Sequence, residues 1–203
     1  MNIFVLDSNP AKAAEYHCDK HVLKMLLESA QMLSTMVHVL TPHEIEIVNS
    51  VETGEPVCMW RGVKVYKPTH QNHPCAVWLR SGTKNVQWLL ELCHGLNHQS
   101  EIRWHKPAYK AHAIVKGIET NFMWTEGRLM SQNLALQPFV LAMPANIIEL
   151  NLDPVTSYRL YYASAKRSFA TWNRLGKKPY WWGDMCHHAN TLGLNKAEIK
   201  ESA

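Results

Sequence analysis

Residues 9–40 read NPAKAAEYHCDKHVLKMLLESAQMLSTMVHVL, and the periodicity of this stretch decides the fold class. Ala14, Cys18, Val22, Met25, Ser29, Met32, Leu33 and Met36 recur at steps of three and four, which places them on one helical face. Asn9 is suited to cap such a helix. Pro10 is suited to its first turn, where a fixed φ is already helical and a missing N–H is not needed. The pattern predicts one continuous helix from Ala11 to about Leu40, stopped by Pro42, with His17, His21, Lys24, Glu28 and Gln31 on the flanking face.

Beyond that helix the period changes. Glu44 to Ile47 and Val57 to Tyr66 alternate around a Gly54-Glu55-Pro56 turn, as expected of a small β-hairpin inserted at about residues 44–66. Lys67 to Pro74 reads as a polar loop, followed by a helical segment to about Arg80 whose start, at Pro74, Asn72 is suited to cap. A further helix is expected over about Lys84 to Gln99, carrying Val86, Leu89, Leu90, Cys93 and Leu96. A shorter one follows Pro107 and stops at Gly117, since glycine readily ends helices. Residues 118–152 are apolar without a clear period. Asp153-Pro154 opens a last helix with Tyr158, Tyr161, Tyr162, Ala165, Phe169 and Trp172 at helical spacing, and the chain after Gly183 reads as a polar tail. The expectation is a mainly α, single-domain helical bundle over residues 1–183 with a hairpin insertion, and a tail over 184–203.

The 203 residues are 46% hydrophobic and 19% charged, which excludes a disordered, collagenous or coiled-coil chain. The net charge of +4 is unevenly spread. Residues 1–102 hold 8 Lys+Arg against 10 Asp+Glu and residues 103–203 hold 13 against 7, so the halves carry −2 and +6. A basic half suits an anionic partner, nucleic acid above all. The five cysteines are scattered without a C-x-x-C pair, as for reduced thiols, and no apolar run is long enough for a membrane span. Asp7 follows the N-terminal apolar run too soon for a signal peptide. These features lead to the expectation of a cytoplasmic protein.

Three constellations could carry chemistry. His17, Asp19, Lys20, His21, Lys24 and Glu28 fall within about three helical turns, so an imidazole, an amine and a carboxylate could converge on one substrate atom. These are the catalytic candidates; the competing reading is a solvated face with Lys-Glu pairs four residues apart. His70, Asn72 and His73 lie in a loop at a predicted helix start, where free N–H groups favour an anion. Lys166, Arg167, Arg174, Lys177 and Lys178, interleaved with aromatic residues including Trp181, suit a phosphate backbone with stacked bases. Against this, a terminal aromatic cluster often plugs a core. The pairs His17/His21 and His94/His98 have i, i+4 spacing and are weak metal candidates, because no H-E-x-x-H pattern accompanies them. No cofactor is expected.

Two resemblances rest on these residues. The run His17-Cys18-Asp19-Lys20-His21-Val22-Leu23-Lys24-Met25, with Asn72-His73-Pro74-Cys75-Ala76-Val77-Trp78, Ala142-Met143-Pro144, Tyr161-Tyr162 and Phe169-Ala170-Thr171-Trp172, resembles a widespread family of uncharacterised tailed-phage proteins across nearly the whole chain. That family brings no activity with it. More distantly, the short N-terminal segment, long charged helix, His73-Pro74 loop and helix ending near Glu101 and Arg103 resemble the phage pyrimidine-dimer DNA glycosylases of the endonuclease V type, over about residues 1–105. That resemblance implies a cofactor-free DNA repair enzyme that flips a nucleotide and attacks the sugar C1′ with an amine, aided by a carboxylate of the first helix. The carboxylate could be Glu15, Asp19 or Glu28. Asn2 is large enough that Met1 should be retained, and Lys20 or Lys24 could supply the amine instead.

The leading expectation is therefore a phage DNA-acting enzyme of glycosylase or lyase type in the cytoplasm of an infected bacterium. One alternative is an enzyme of thymine hypermodification, transferring an amine to an activated base in DNA. The other is a non-catalytic protein that binds nucleic acid or a host protein.

Overall fold

The computed structural model describes residues 1–106, 110–122 and 135–194. Eight α-helices, one 3₁₀ turn (Pro42–Glu44) and one three-stranded antiparallel sheet account for the regular structure of these residues: α1 (Pro10–Tyr16), α2 (Asp19–Leu40), β1 (Ile45–Asn49), β2 (Pro56–Trp60), β3 (Val63–Val65), α3 (Pro74–Leu79), α4 (Thr83–Trp104), α5 (Lys110–Phe122), α6 (Ala145–Ile148), α7 (Pro154–Ala165) and α8 (Trp182–Thr191). The chain is mainly α with a small β insertion, as the periodicity predicts. No helix of the described residues is long and apolar enough to cross a membrane.

Ile3 to Leu6 run without regular secondary structure through the centre of the core, where all four side chains are buried. Around them α2 packs on α4 and α5, α1 lies across α4, and α8 rests on α7. The approach of α1 to α4 is close because residue 95 is glycine: a Cβ there would stand 2.8 Å from the Ala14 Cβ. The sheet is pinned to the end of α2 by Trp60, whose indole N–H reaches Thr41 Oγ1 at 2.9 Å and Glu44 Oε2 at 3.0 Å.

Several local expectations change. The helix predicted from Ala11 to Leu40 is two helices, broken at His17 and Cys18, both of which are extended. A break exposes carbonyls at one helix end and N–H groups at the next, and buried groups of this kind need partners. Tertiary contacts supply them. Arg103 of α4 donates to the Glu15 and His17 carbonyls at 2.9 and 2.8 Å, the Cys18 N–H donates to the Tyr162 hydroxyl at 3.0 Å, and the Asp19 N–H donates to the Thr171 carbonyl at 2.8 Å. The break turns His17 and His21 into the core instead of onto a flanking face.

The hairpin gains a third strand, with β3 paired to β2 from Cys58↔Val65 to Trp60↔Val63. Helix α4 runs past Gln99 to Trp104 and ends at His105 in the left-handed region (φ 52°). Gly117 does not stop α5; it lies inside the helix where β3 crosses, and a Cβ there would fall 2.5 Å from Val63 Cγ1. The expected start of that helix after Pro107 lies outside the described residues. Asp153 caps α7 as expected, accepting from the Thr156 N–H at 3.1 Å, but the helix ends at Ala165, so Phe169 and Trp172 lie beyond it, outside any helix. The segment expected as a loose polar tail forms α8 with Trp182, Cys186 and Ala189 buried, and Leu194 is buried just beyond it. Residues 195–203 lie outside the described part.

Candidate functional site

A cavity of about 950 Å³ opens between the N-terminal segment, α2, the loop before α3, residues 141–144 and the end of α7. Its wall includes a carboxylate with two amines. Glu28 Oε2 accepts the Asn2 N–H at 3.0 Å and stands 3.8 Å from the Met1 α-ammonium, while Oε1 is 3.6 Å from Lys24 Nζ. Lys24 and Glu28 share a face because they are four residues apart on α2. The main chain is brought to them by Asn2, which is buried: its Nδ2 donates to the Ala142 carbonyl at 2.7 Å and its Oδ1 accepts the Phe4 N–H at 2.9 Å.

Two residues of the cavity wall, Phe4 (φ 36°) and His70 (φ 48°), have backbones in the left-handed region that side-chain-bearing residues rarely adopt. Such strain persists only where surrounding contacts enforce it, and it gathers at ligand sites. Phe4 is held by stacking on Tyr161, with ring centroids 5.7 Å apart, and by its edge against Tyr162 at 5.3 Å. Lys166 places its ammonium 5.0 Å from the Tyr161 ring centre and 5.7 Å from that of Phe4. His70 Nδ1 is 2.6 Å from Thr69 Oγ1.

Burial favours the neutral form of two imidazoles of the site, His21 and His73. His21, only 2% exposed, lies among Phe4, Tyr162 and Phe169 with centroids 5.1 to 5.3 Å away. Burial, with smaller contributions from His17, Lys166 and Lys24, pushes its pKa down to about 2. Its Nδ1 makes no hydrogen bond among the described residues. His73 is also shifted down, by burial first and then by the α-ammonium and His70. It caps α3 itself, its Nδ1 accepting the Cys75 N–H at 3.2 Å, a role the sequence had suggested for Asn72.

Of the residues singled out from the sequence, His21, Lys24, Glu28, His70, Asn72, His73 and Lys166 line this one cavity. The others do not. His17 is fully buried, its Nδ1 2.7 Å from the Ala13 carbonyl, and burial lowers its pKa to about 4. Asp19 is occupied by Arg103 at 3.1 Å and by the Arg174 N–H at 3.2 Å, and Lys20 lies over the Phe169 ring at 5.3 Å. Glu15 pairs with Lys177 at 3.1 Å.

The basic C-terminal constellation is likewise dispersed. Arg167 donates to Asn190 Oδ1 at 2.9 Å. Lys177 and Lys178 border a separate cleft of about 230 Å³ with Tyr16 and Tyr180. Trp181 is buried, with the Arg159 guanidinium 5.3 Å from its ring centre, so it offers no stacking face for a base. The two weak metal pairs do not meet: His94 stands 2.9 Å from both His112 Nε2 and Glu119 Oε2, and His98 is 3.9 Å from Glu101. Among the described residues no group of three or more His, Cys, Asp and Glu could hold a metal ion.

Reasoning from side-chain chemistry missed Asn2, Phe4, Tyr161 and the Ala142 carbonyl. Asn2 and Phe4 sit in a short apolar run that reads as core, and a main-chain carbonyl leaves no trace in residue type. Against known protein families, curated proteins and solved structures, the chain matches none.

Proposed function

We propose that the protein is an enzyme acting on a base or nucleotide in DNA by glycosylase or lyase chemistry, with an amine of the cavity as nucleophile and Glu28 as its carboxylate. The supporting observation is that two amines of a single cavity flank one carboxylate, the Met1 α-amine 3.8 Å from Glu28 Oε2 and Lys24 Nζ 3.6 Å from Oε1. This agrees with the distant resemblance to the pyrimidine-dimer glycosylases, and among the three carboxylates that resemblance left open only Glu28 lines the cavity.

In this reading the unprotonated amine attacks the sugar C1′, an N–C1′ bond forms, and the C1′–N bond to the base breaks. The base leaves with the bonding pair and takes up a proton. Opening of the C1′–O4′ bond, with a proton delivered to O4′, then gives an imine. As a carboxylate, Glu28 stabilises the positive charge that develops on the sugar, and it then takes up the proton that the newly bonded amine releases. Lys166, joined by Lys24 where the Met1 amine is the nucleophile, provides a cation for the neighbouring phosphate, and neutral His21 provides a hydrogen-bonding edge inside the cavity.

Borohydride trapping tests the reading. The chain is incubated with DNA carrying normal, ultraviolet-damaged, abasic or hypermodified thymine sites, and the expected result is a covalent protein–DNA adduct. Loss of the adduct in Lys24→Ala, or after an extension ahead of Met1, names the nucleophile. Absence of an adduct on every substrate overturns imine chemistry; retained salt-sensitive binding would then favour base modification or plain binding.

A further inference from the structure

A second cavity of about 490 Å³ adjoins the first, and Met1, Glu28 and His70 line both. Its remaining wall comes from Gln31, one turn beyond Glu28 on α2, and from Tyr66 to Thr69. Both volumes fall in the range of about 300–1,000 Å³ typical of sites that hold a small ligand. The divider between them is thus the carboxylate and the residues beside it.

The second cavity presents polar groups with free capacity. The Gln31 amide, the Tyr66 hydroxyl and the Lys67 ammonium make no hydrogen bond or ion pair among the described residues. The tyrosine backbone is nevertheless fixed, its N–H donating to Ser34 Oγ at 3.1 Å and its carbonyl 3.1 Å from His38 Nε2. Thr69 is tied at both its N–H and its carbonyl to Thr35 Oγ1, at 3.0 and 3.1 Å. The tethered loop therefore holds an aromatic ring and an exposed cation, and α2 an amide with donor and acceptor, beside the Glu28 carboxylate. That set matches one nucleotide: a ring for stacking, an amide for a base edge and an ammonium for a phosphate.

We propose that the smaller cavity seats the nucleotide adjoining the one held in the main cavity, so that a single-stranded dinucleotide step is the ligand unit of this site. The inference rests on the nucleotide reading of the main cavity. The sugar-phosphate link between the two units crosses at Met1, Glu28 and His70, which brings C1′ of one unit to the amines. Neither base remains in a duplex stack, so an unpaired strand is favoured over an intact helix.

Calorimetric titration of the full chain with thymidine 5′-monophosphate and with the 5′-phosphorylated thymidine dinucleotide provides the test. The dinucleotide is expected to bind about tenfold tighter or better, since a second stacked base and phosphate add to the affinity. In the double variant Gln31→Ala/Lys67→Glu, dinucleotide affinity falls to within about twofold of the monophosphate, whose own affinity is unchanged. Tyr66→Phe, which keeps the ring, gives an intermediate loss. Equal affinities of the wild type for the two ligands, or a double variant that keeps the dinucleotide advantage, would overturn the second subsite alone. Failure to bind either ligand would overturn the nucleotide reading and this inference with it.

Discussion

Arg103, near the end of α4, donates through Nη1 to the main-chain carbonyl of His17 at 2.8 Å, 86 residues earlier in the chain. The same guanidinium holds the Glu15 carbonyl, the Asp19 carboxylate and Gln99 Oε1, and its side chain is fully buried. One arginine therefore takes a terminal carbonyl of α1 and that of the break residue His17 and anchors the start of α2, while the Trp172 indole N–H takes the Tyr16 carbonyl; the break they stabilise turns His21 toward the cavity.

Replacing Arg103 with methionine leaves two carbonyls and the Asp19 carboxylate without their partner, and is expected to cost about 3–5 kcal/mol of stability. Urea unfolding measures it. Lysine should recover only part of the loss, because a single ammonium cannot span the positions that the planar fork reaches.

The buried histidines make stability pH-dependent. His17 and His21 are held neutral in the fold, with pKa values near 4 and 2, while the unfolded chain protonates them near the ordinary value of about 6.5. Above that pH neither state binds the protons and the full stability is present. Below it the unfolded state alone takes up protons, so stability falls with pH down to about 4 for His17 and further for His21. Between pH 6.5 and 5 the expected loss is about 2 kcal/mol per histidine. His17→Gln should flatten the curve measured by urea unfolding across this range; an unchanged slope would show that His17 is not held neutral.

Glu28→Gln removes the charge that holds both amines while preserving an acceptor for the Asn2 N–H. The expected result is a fall of about 10²-fold or more in the rate of adduct formation with little change in DNA affinity or unfolding temperature. Single-turnover trapping with a parallel binding titration separates the two, and equal losses in both would assign Glu28 to binding instead.

Gly117→Ala inserts a methyl where α5 crosses Val63, and despite alanine's better helix propensity it should destabilise by about 1–2 kcal/mol. Adding Val63→Ala opens the space, so the double variant should be more stable than the sum of single effects by about 1 kcal/mol. Strict additivity in a double-mutant cycle would mean that the crossing can relax.

Much of the candidate site is legible along α2 and its neighbouring loop. The i, i+4 relation of Lys24 and Glu28 follows from helical geometry alone, and the polar loop with His70, Asn72 and His73 stands out between two apolar segments. His17, Asp19 and Lys20 looked equivalent to them, but they are separated by the break at residues 17 and 18. The phase of a helix can be read forward only while the helix continues, and the break is stabilised by Arg103, Tyr162 and Thr171, which are remote in sequence. Trp181 misled for a related reason: aromatic rings beside cations suit both a stacking surface and a packed core, and only the burial beside Arg159 distinguishes them.

The sequence by itself determined the helical class, the small antiparallel insertion, the caps at Asn9 and Asp153 and the pairing of Lys24 with Glu28. Each of these depends on neighbours within a few residues, whose spacing sets which side chains share a face. Only the tertiary structure decided that Ile3 to Leu6 are threaded through the core and that Asn2 ties the N-terminal segment to Ala142, bringing the Met1 amine beside Glu28. It also decided that the loop before α3 and the end of α7 close around this pair. These relations depend on contacts between segments far apart in the chain, made by main-chain groups whose hydrogen-bonding capacity is the same at almost every residue.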